Sequence, residues 1–336
     1  MNRIFRFVIM AVALVAVACT EDTTTDEIFV DDGVVENEYL GETVRLDINM
    51  TRASLDGLEM QFEPGDKVYV NGNIIPVKGN GKHLFLHVPL AEDNIYRAVF
   101  PAEAAVAFTD AGNCSYVHSN MQVYSPGSFG SESMCLVSYR DLNGSPEGGD
   151  ITFKALLGVL KLTVKGDAEV RSIRLQNNAF NSADASTAMS GRTRFVNAEG
   201  TVLGANNTED AHHAAPAGAS GMTEDIVLMC NDTNGKGVKL SPEGTDFYFT
   251  LYPREYAQGF TVTISDNNGK SQKFSTSGST TVAVNSLVEM QPMTYAPDKD
   301  LIFSESFDVC VYGGDLVAYR TGSNVWRGRL PIHRDG

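Results

Sequence analysis

Val44-Arg45-Leu46-Asp47-Ile48-Asn49-Met50 alternates apolar and polar side chains without a break. Successive side chains of a strand point to opposite faces, so a period of two predicts a strand with one face buried and the other wet. The same reading extends outward from it. Phe62–Lys67, with Pro64 and Gly65, is a turn, and Val68–Val70 is a short strand. Asn71-Gly72-Asn73 then returns the chain through Ile74–Val77, because Asn-Gly suits the positive φ of a tight hairpin. His83–Val88 and Ile95–Phe100 follow, the second stopped by Pro101, and strand-sized pieces lie around Tyr116–Tyr124 and Met134–Tyr139.

Asp141–Gly149, rich in Gly, Pro and Ser, is a break and is read as a domain boundary. Beyond it, Ile151–Leu157, Val159–Val164, Val170–Leu175, Ile226–Met229, Asp246–Tyr252, Gly259–Ser265, Gln272–Ser275 and Thr280–Val284 read as further strands. The polar, small-residue stretch Ala179–Ala219 is expected to hold one hairpin, Thr187–Phe195 with Thr201–Leu203, and a mobile loop. No stretch of about ten residues forms an amphipathic helix. Short strands at a spacing of about 8–12 residues point to an all-β chain of sandwiches. The expected organisation is a leader at 1–18, an acidic tether at 19–40, β-sandwich domains at 41–148 and 149–296, and a tail at 297–336.

The 336 residues carry 26 Lys and Arg against 42 Asp and Glu, a net charge of −16. Phosphate backbones need clustered cations, so nucleic acid and an anionic membrane face are poor partners. Met1–Cys19 opens with Arg3 and Arg6 and continues as the apolar run Val8–Ala18. That run has the length of a signal-peptide core and falls short of the about 20 residues a membrane span needs. Thr20–Glu38 contains eight carboxylates and no Lys or Arg, which suits an extended, self-repelling tether.

Ala16-Val17-Ala18-Cys19 resembles the lipobox of bacterial lipoproteins, although the usual Leu or Val three residues before the cysteine is Ala16 here. The resemblance implies cleavage between Ala18 and Cys19 and lipidation of Cys19, hence anchoring in the outer membrane; the alternative is an ordinary secretory signal cut after Ala18. More than one acyl chain makes a stable anchor. The acidic cluster after Cys19 is similar to the surface-export signal of Bacteroidota lipoproteins.

Three stretches together resemble the fimbrillin-like lipoproteins of Bacteroidales. They are Phe62–Val68 with Tyr96–Pro101, then Thr152–Leu160, then Phe247–Pro253 with Gly259–Ile264 and Lys273–Tyr295. The resemblance spans about residues 40–296 and implies two tandem transthyretin-like β-sandwich domains. It also implies a structural, adhesive role in fimbria assembly, anchoring or surface attachment, with other fimbrial subunits or a host or bacterial surface glycan or protein as partners. Subunits are then joined by β-strand addition after a cut beside the first strand. The matching bond is Arg52–Ala53, with Arg45 as a second candidate arginine. The residues beyond Tyr295 depart from that pattern; Leu301–Asp308 and Val311–Asp315 read as the start of a further domain, expected to be a carbohydrate-binding jelly roll.

The alternative function is a surface glycan-binding lipoprotein of a polysaccharide-uptake system, with Tyr116, Tyr124, Phe129 and Tyr139 as the ring platform. No nucleophile elbow, phosphate loop or HExxH motif occurs, so no catalytic residue and no cofactor is assigned and the chain reads as a non-enzyme. Adjacent His212 and His213 would point apart in an extended chain, and no Cys/His ligand spacing exists, so no metal is expected. Asn231–Gly235 and Asp266–Gly269 are read as turns, since they lack the bidentate Glu of a calcium loop. Cys114 and Cys135 either pair or remain buried thiols.

Overall fold

The computed structural model describes residues 43–49, 58, 60–108, 114–143, 148–203, 209–218 and 221–297. The leader, the tether, Arg52, Ala53 and the tail lie outside them. The first half holds β1 (Thr43–Asn49), β2 (Lys67–Val70), β3 (Asn73–Pro76), β4 (His83–Pro89), β5 (Ile95–Phe100), β6 (Ala105–Phe108), β7 (Cys114–His118), β8 (Met121–Ser125), β9 (Ser128–Phe129) and β10 (Leu136–Asp141). Then come β11 (Gly149–Thr152), β12 (Lys154–Ala155), β13 (Gly158–Lys165), β14 (Glu169–Asn177), β15 (Gly191–Val196), β16 (His213–Pro216), β17 (Asp225–Met229) and β18 (Val238–Lys239). The series ends with β19 (Thr245–Leu251), β20 (Arg254–Tyr256), β21 (Phe260–Asp266), β22 (Ser271–Ser275), β23 (Thr280–Val282), β24 (Leu287–Glu289) and β25 (Met293–Thr294). Helix among the described residues is confined to short 3₁₀ turns such as Ser131–Ser133. The chain is all-β.

Two hydrophobic cores organise the strands. In the first, the sheet β11-β1-β4 meets the sheet β12-β10-β5-β2-β3 through Val44, Leu46, Ile48, Val68, Val70 and Phe100. Phe62 packs edge-on against Phe100 at 5.3 Å and Phe153 at 6.0 Å. In the second, β13 and β19 meet β14, β17 and β21 through Leu160, Leu162, Ile173, Leu175, Phe247 and Phe249. The turn between β2 and β3 has φ of 44° at Asn71 and 89° at Gly72, the conformation the Asn-Gly pair predicts.

Strand alternation divides β13 and β19 between the cores. Val159, Tyr248 and Tyr252 belong to the first, while Leu160, Phe247, Phe249 and Leu251 belong to the second. A strand buried on both faces has no polar face to show, which is why Phe247–Tyr252 is nearly all apolar. The break after Asp141 separates β10 from β11, yet several ladders cross it: β1 runs parallel to β11, β10 pairs with β12, β7 with β15, and β8 runs parallel to β17.

The expected hairpin in 179–219 is smaller than drawn. Only the bridge Val196–Val202 joins the two arms, and β15 finds its ladders in β16 and in the distant β7. Local turn chemistry closed the small hairpin, but long-range pairing took the rest of the strand.

A buried polar cluster stands where the cores meet. Gln122 Nε2 donates to Thr250 O at 3.0 Å and to Thr250 Oγ1 at 2.8 Å, and Gln122 Oε1 accepts from Thr250 N at 3.0 Å. Thr250 Oγ1 donates to Ser133 O at 2.8 Å, and His118 Nε2 lies 3.1 Å from Thr250 O. Among the described residues β19 has a strand partner only in β13, so the Gln122 amide serves its other edge at Thr250 as a second strand would. Burial lowers the His118 pKa from 6.5 to about 4, the hydrogen bond to Thr250 opposing this in part. His118 is therefore neutral near pH 7, with the proton on Nε2 facing the carbonyl.

Candidate strand-exchange site

β1 is the element on which strand addition would act. It pairs antiparallel with β4 along its whole length, Thr43 opposite Pro89 through Asn49 opposite His83. On its other edge Leu46–Asn49 pairs in parallel with Gly149–Thr152. Val44, Leu46 and Ile48 are buried, as the alternation predicts. Burying each is worth roughly 1.5–3 kcal/mol, so the three contribute about 5–9 kcal/mol before the ladders are counted. Gly148 lets β11 approach this closely: its φ is +87°, and a Cβ there would lie 1.8 Å from Arg45 O.

On the outer face, Arg45 Nε donates to Asp47 Oδ1 at 3.0 Å, and its guanidinium sits 4.4 Å from the Phe85 ring centre. Arg45 is thus in mid-strand, laddered on both sides near Leu46, and a protease would reach it only after β1 had left the sheet. Residue 52 lies between β1 and the next anchored positions, Leu58, Met60 and Phe62, all buried in the first core. With β1 absent, two facing strand edges and the Val44, Leu46 and Ile48 positions between them would form an apolar slot suited to an extended peptide.

The other candidate residues fall elsewhere. Tyr116 and Phe129 are buried and Tyr124 and Tyr139 are half-buried, so they form no exposed platform. The reason is alternation: Tyr116 points inward from β7 while Val117 points out. Cys135 is buried, and Cys230 is a buried free thiol whose pKa burial raises strongly.

His212 and His213 do not point apart. Their Nδ1 atoms are 3.2 Å apart, because His212 precedes β16 and its amide donates back to Val196 O. Burial and then the neighbouring His212 lower the His213 pKa. Among the described residues no group of three or more metal-ligating side chains converges. The Asp/Asn-rich loops are Asx-type turns: Asp232 Oδ1 accepts from the amides of Asn234 and Lys236, and Asp266 Oδ1 from those of Asn268 and Lys270. Sequence reading did not single out Gln122, Thr250 or His118; a polar residue between two outward apolar ones, as in Met121-Gln122-Val123, is the signal that was available.

No family profile and no curated protein matches the chain. Among solved structures it is similar to a candidate cell adhesion protein from Bacteroides ovatus, at 9% identity and a TM-score of 0.42, covering 76% of this chain and 93% of that one. It is similar to a candidate cell adhesion protein from Bacteroides uniformis at 13% identity and a TM-score of 0.39, with the same coverage. It is also similar to the tip fimbrial protein of Porphyromonas gingivalis at 8% identity and a TM-score of 0.25, covering 70% and 81% of the two chains.

Proposed function

We propose that this is a cell-surface protein of the fimbrillin type, lipid-anchored to the outer membrane through Cys19, displayed on the tether 19–40 and acting in adhesion or fimbria assembly by β-strand addition. The domains are the sandwiches 41–148 and 149–296, of transthyretin-like type. The observation that carries the reading is the seating of β1, an N-terminal strand laddered on both edges and followed at once by a segment containing Arg52. A cut between Arg52 and Ala53 would leave β1 held by non-covalent contacts alone, and its departure would open a slot of the right chemistry for a neighbour's strand.

The test is N-terminal sequencing and intact mass of the protein recovered from the outer membrane. An acylated start at Cys19 is the form the reading requires before assembly, and a start at Ala53 is the form it requires in assembled material. Recovery of assembled material that still retains β1 would overturn strand exchange. The glycan-binding alternative loses its platform with the burial of Tyr116 and Phe129; Phe85 is the one aromatic among the exposed large apolar side chains described.

A further inference from the structure

Three of the exposed large apolar side chains fall in one strand-turn-strand. Val117 is 41% exposed, Met121 40% and Val123 50%. The alternation there is anchored from inside, since His118 and Gln122 point inward to the Thr250 cluster, and the side chains beside them are forced outward. Across the β8–β17 ladder Met121 stands opposite Val227 and Val123 opposite Met229, both half-exposed, so the strip is two strands wide. Across the β7–β15 ladder Val117 stands opposite Arg192. Arg194 follows two residues on, on the same face, and both arginines are exposed.

Neither arginine makes an ion pair with a described residue. By contrast Arg45, Lys67, Arg97, Lys161, Arg174 and Lys239 are each ion-paired. The strip is therefore an apolar surface with unpaired positive charge at its Val117 end, on a chain of net charge −16. Its make-up, Val and Met at the centre and Arg at the edge, is that of an interface core.

We propose that the Val117–Val123 strip with Arg192 and Arg194 is a contact surface for a second copy of this chain, seated against an acidic face of that copy. Charge complementarity selects the occupant: a copy of a chain with 42 acidic residues supplies carboxylates. A two-fold contact of the strip with itself would gather four guanidiniums in one interface, so the strip meets a different face of its partner copy. Because β15 already has strands on both edges, this face offers side chains and no free backbone. The contact needs no strand transfer and no cut at Arg52, and so stands apart from the strand-exchange reading.

The experiment is photocrosslinking in the full chain in its native host, with p-benzoylphenylalanine at position 117 and, separately, at 123. The expected result is a covalent product of twice the chain mass whose crosslinked peptide lies outside 117–123 and contains acidic residues. The double substitution R192E/R194E, on exposed positions and checked for fold by circular dichroism, is expected to reduce it at least tenfold. Arg52→Ala is expected to leave it unchanged while abolishing any Ala53-started form. No self-crosslink, a crosslink to a different protein, a 117-to-117 crosslink, insensitivity to charge reversal, or loss in Arg52→Ala would each overturn the proposal.

Discussion

Replacing Gln122 with Met keeps the length and bulk of the side chain and removes only its amide. Gln122 and Thr250 are both buried, and their three mutual hydrogen bonds lie between 2.8 and 3.0 Å. After the substitution Thr250 O still faces His118 Nε2, and Thr250 Oγ1 still donates to Ser133 O. The group left with no partner is the Thr250 N–H, in the middle of a strand where water does not reach. An orphaned buried donor costs about 1–3 kcal/mol, and the loss of the remaining amide contacts brings the expected destabilisation to about 2–4 kcal/mol. Against a typical total of about 5–15 kcal/mol this is a large fraction. Chemical denaturation followed by circular dichroism would show it as a lower midpoint at unchanged slope. A loss below about 1 kcal/mol would refute the reasoning, because it would mean that Thr250 N–H is not dry or that β19 does not depend on a side chain to complete its edge.

His118 adds a pH dependence with a definite sign. Its folded pKa is lowered from 6.5 to about 4, so the unfolded chain takes up a proton first; stability is complete above pH 6.5, falls as pH drops to about 4, and loses about 3 kcal/mol over that window. His118→Phe should flatten that part of the stability–pH curve measured by thermal unfolding. Gly148→Ala places a methyl 1.8 Å from Arg45 O at a φ of +87°; it should cost at least about 2 kcal/mol and speed limited proteolysis of the β1 connection. Leu46→Ala should cost about 2–5 kcal/mol by emptying the inward face of β1, read as a lower denaturation midpoint. Gly158→Ala would set a Cβ 2.3 Å from Ala283 O and should lower the melting temperature by several degrees, as β13 can no longer lie against residues 282–283.

Strand positions and facing were written in the sequence. The alternation in Val44–Met50 placed Val44, Leu46 and Ile48 inward, and Asn71-Gly72 set its own turn, because both depend on geometry within a few residues. Partners were not legible. Nothing local says that β15 should pair with β7, that β8 should lie parallel to β17, or that Val159 and Leu160 serve different cores; these are set by which distant edges and faces meet. The ring platform failed for the same reason, since composition marks Tyr116 as aromatic but only the packing of β7 turns it inward. His212 and His213 converge where the His212 amide, just before β16, bonds to Val196 at the end of β15. Period and turn chemistry therefore determined an all-β chain and its strand faces. The tertiary structure alone decided how β1 is held, where the Gln122–Thr250 cluster joins the cores, and that Val117, Met121 and Val123 face solvent, because hydrogen-bond pairing and burial act between residues that are far apart in the chain.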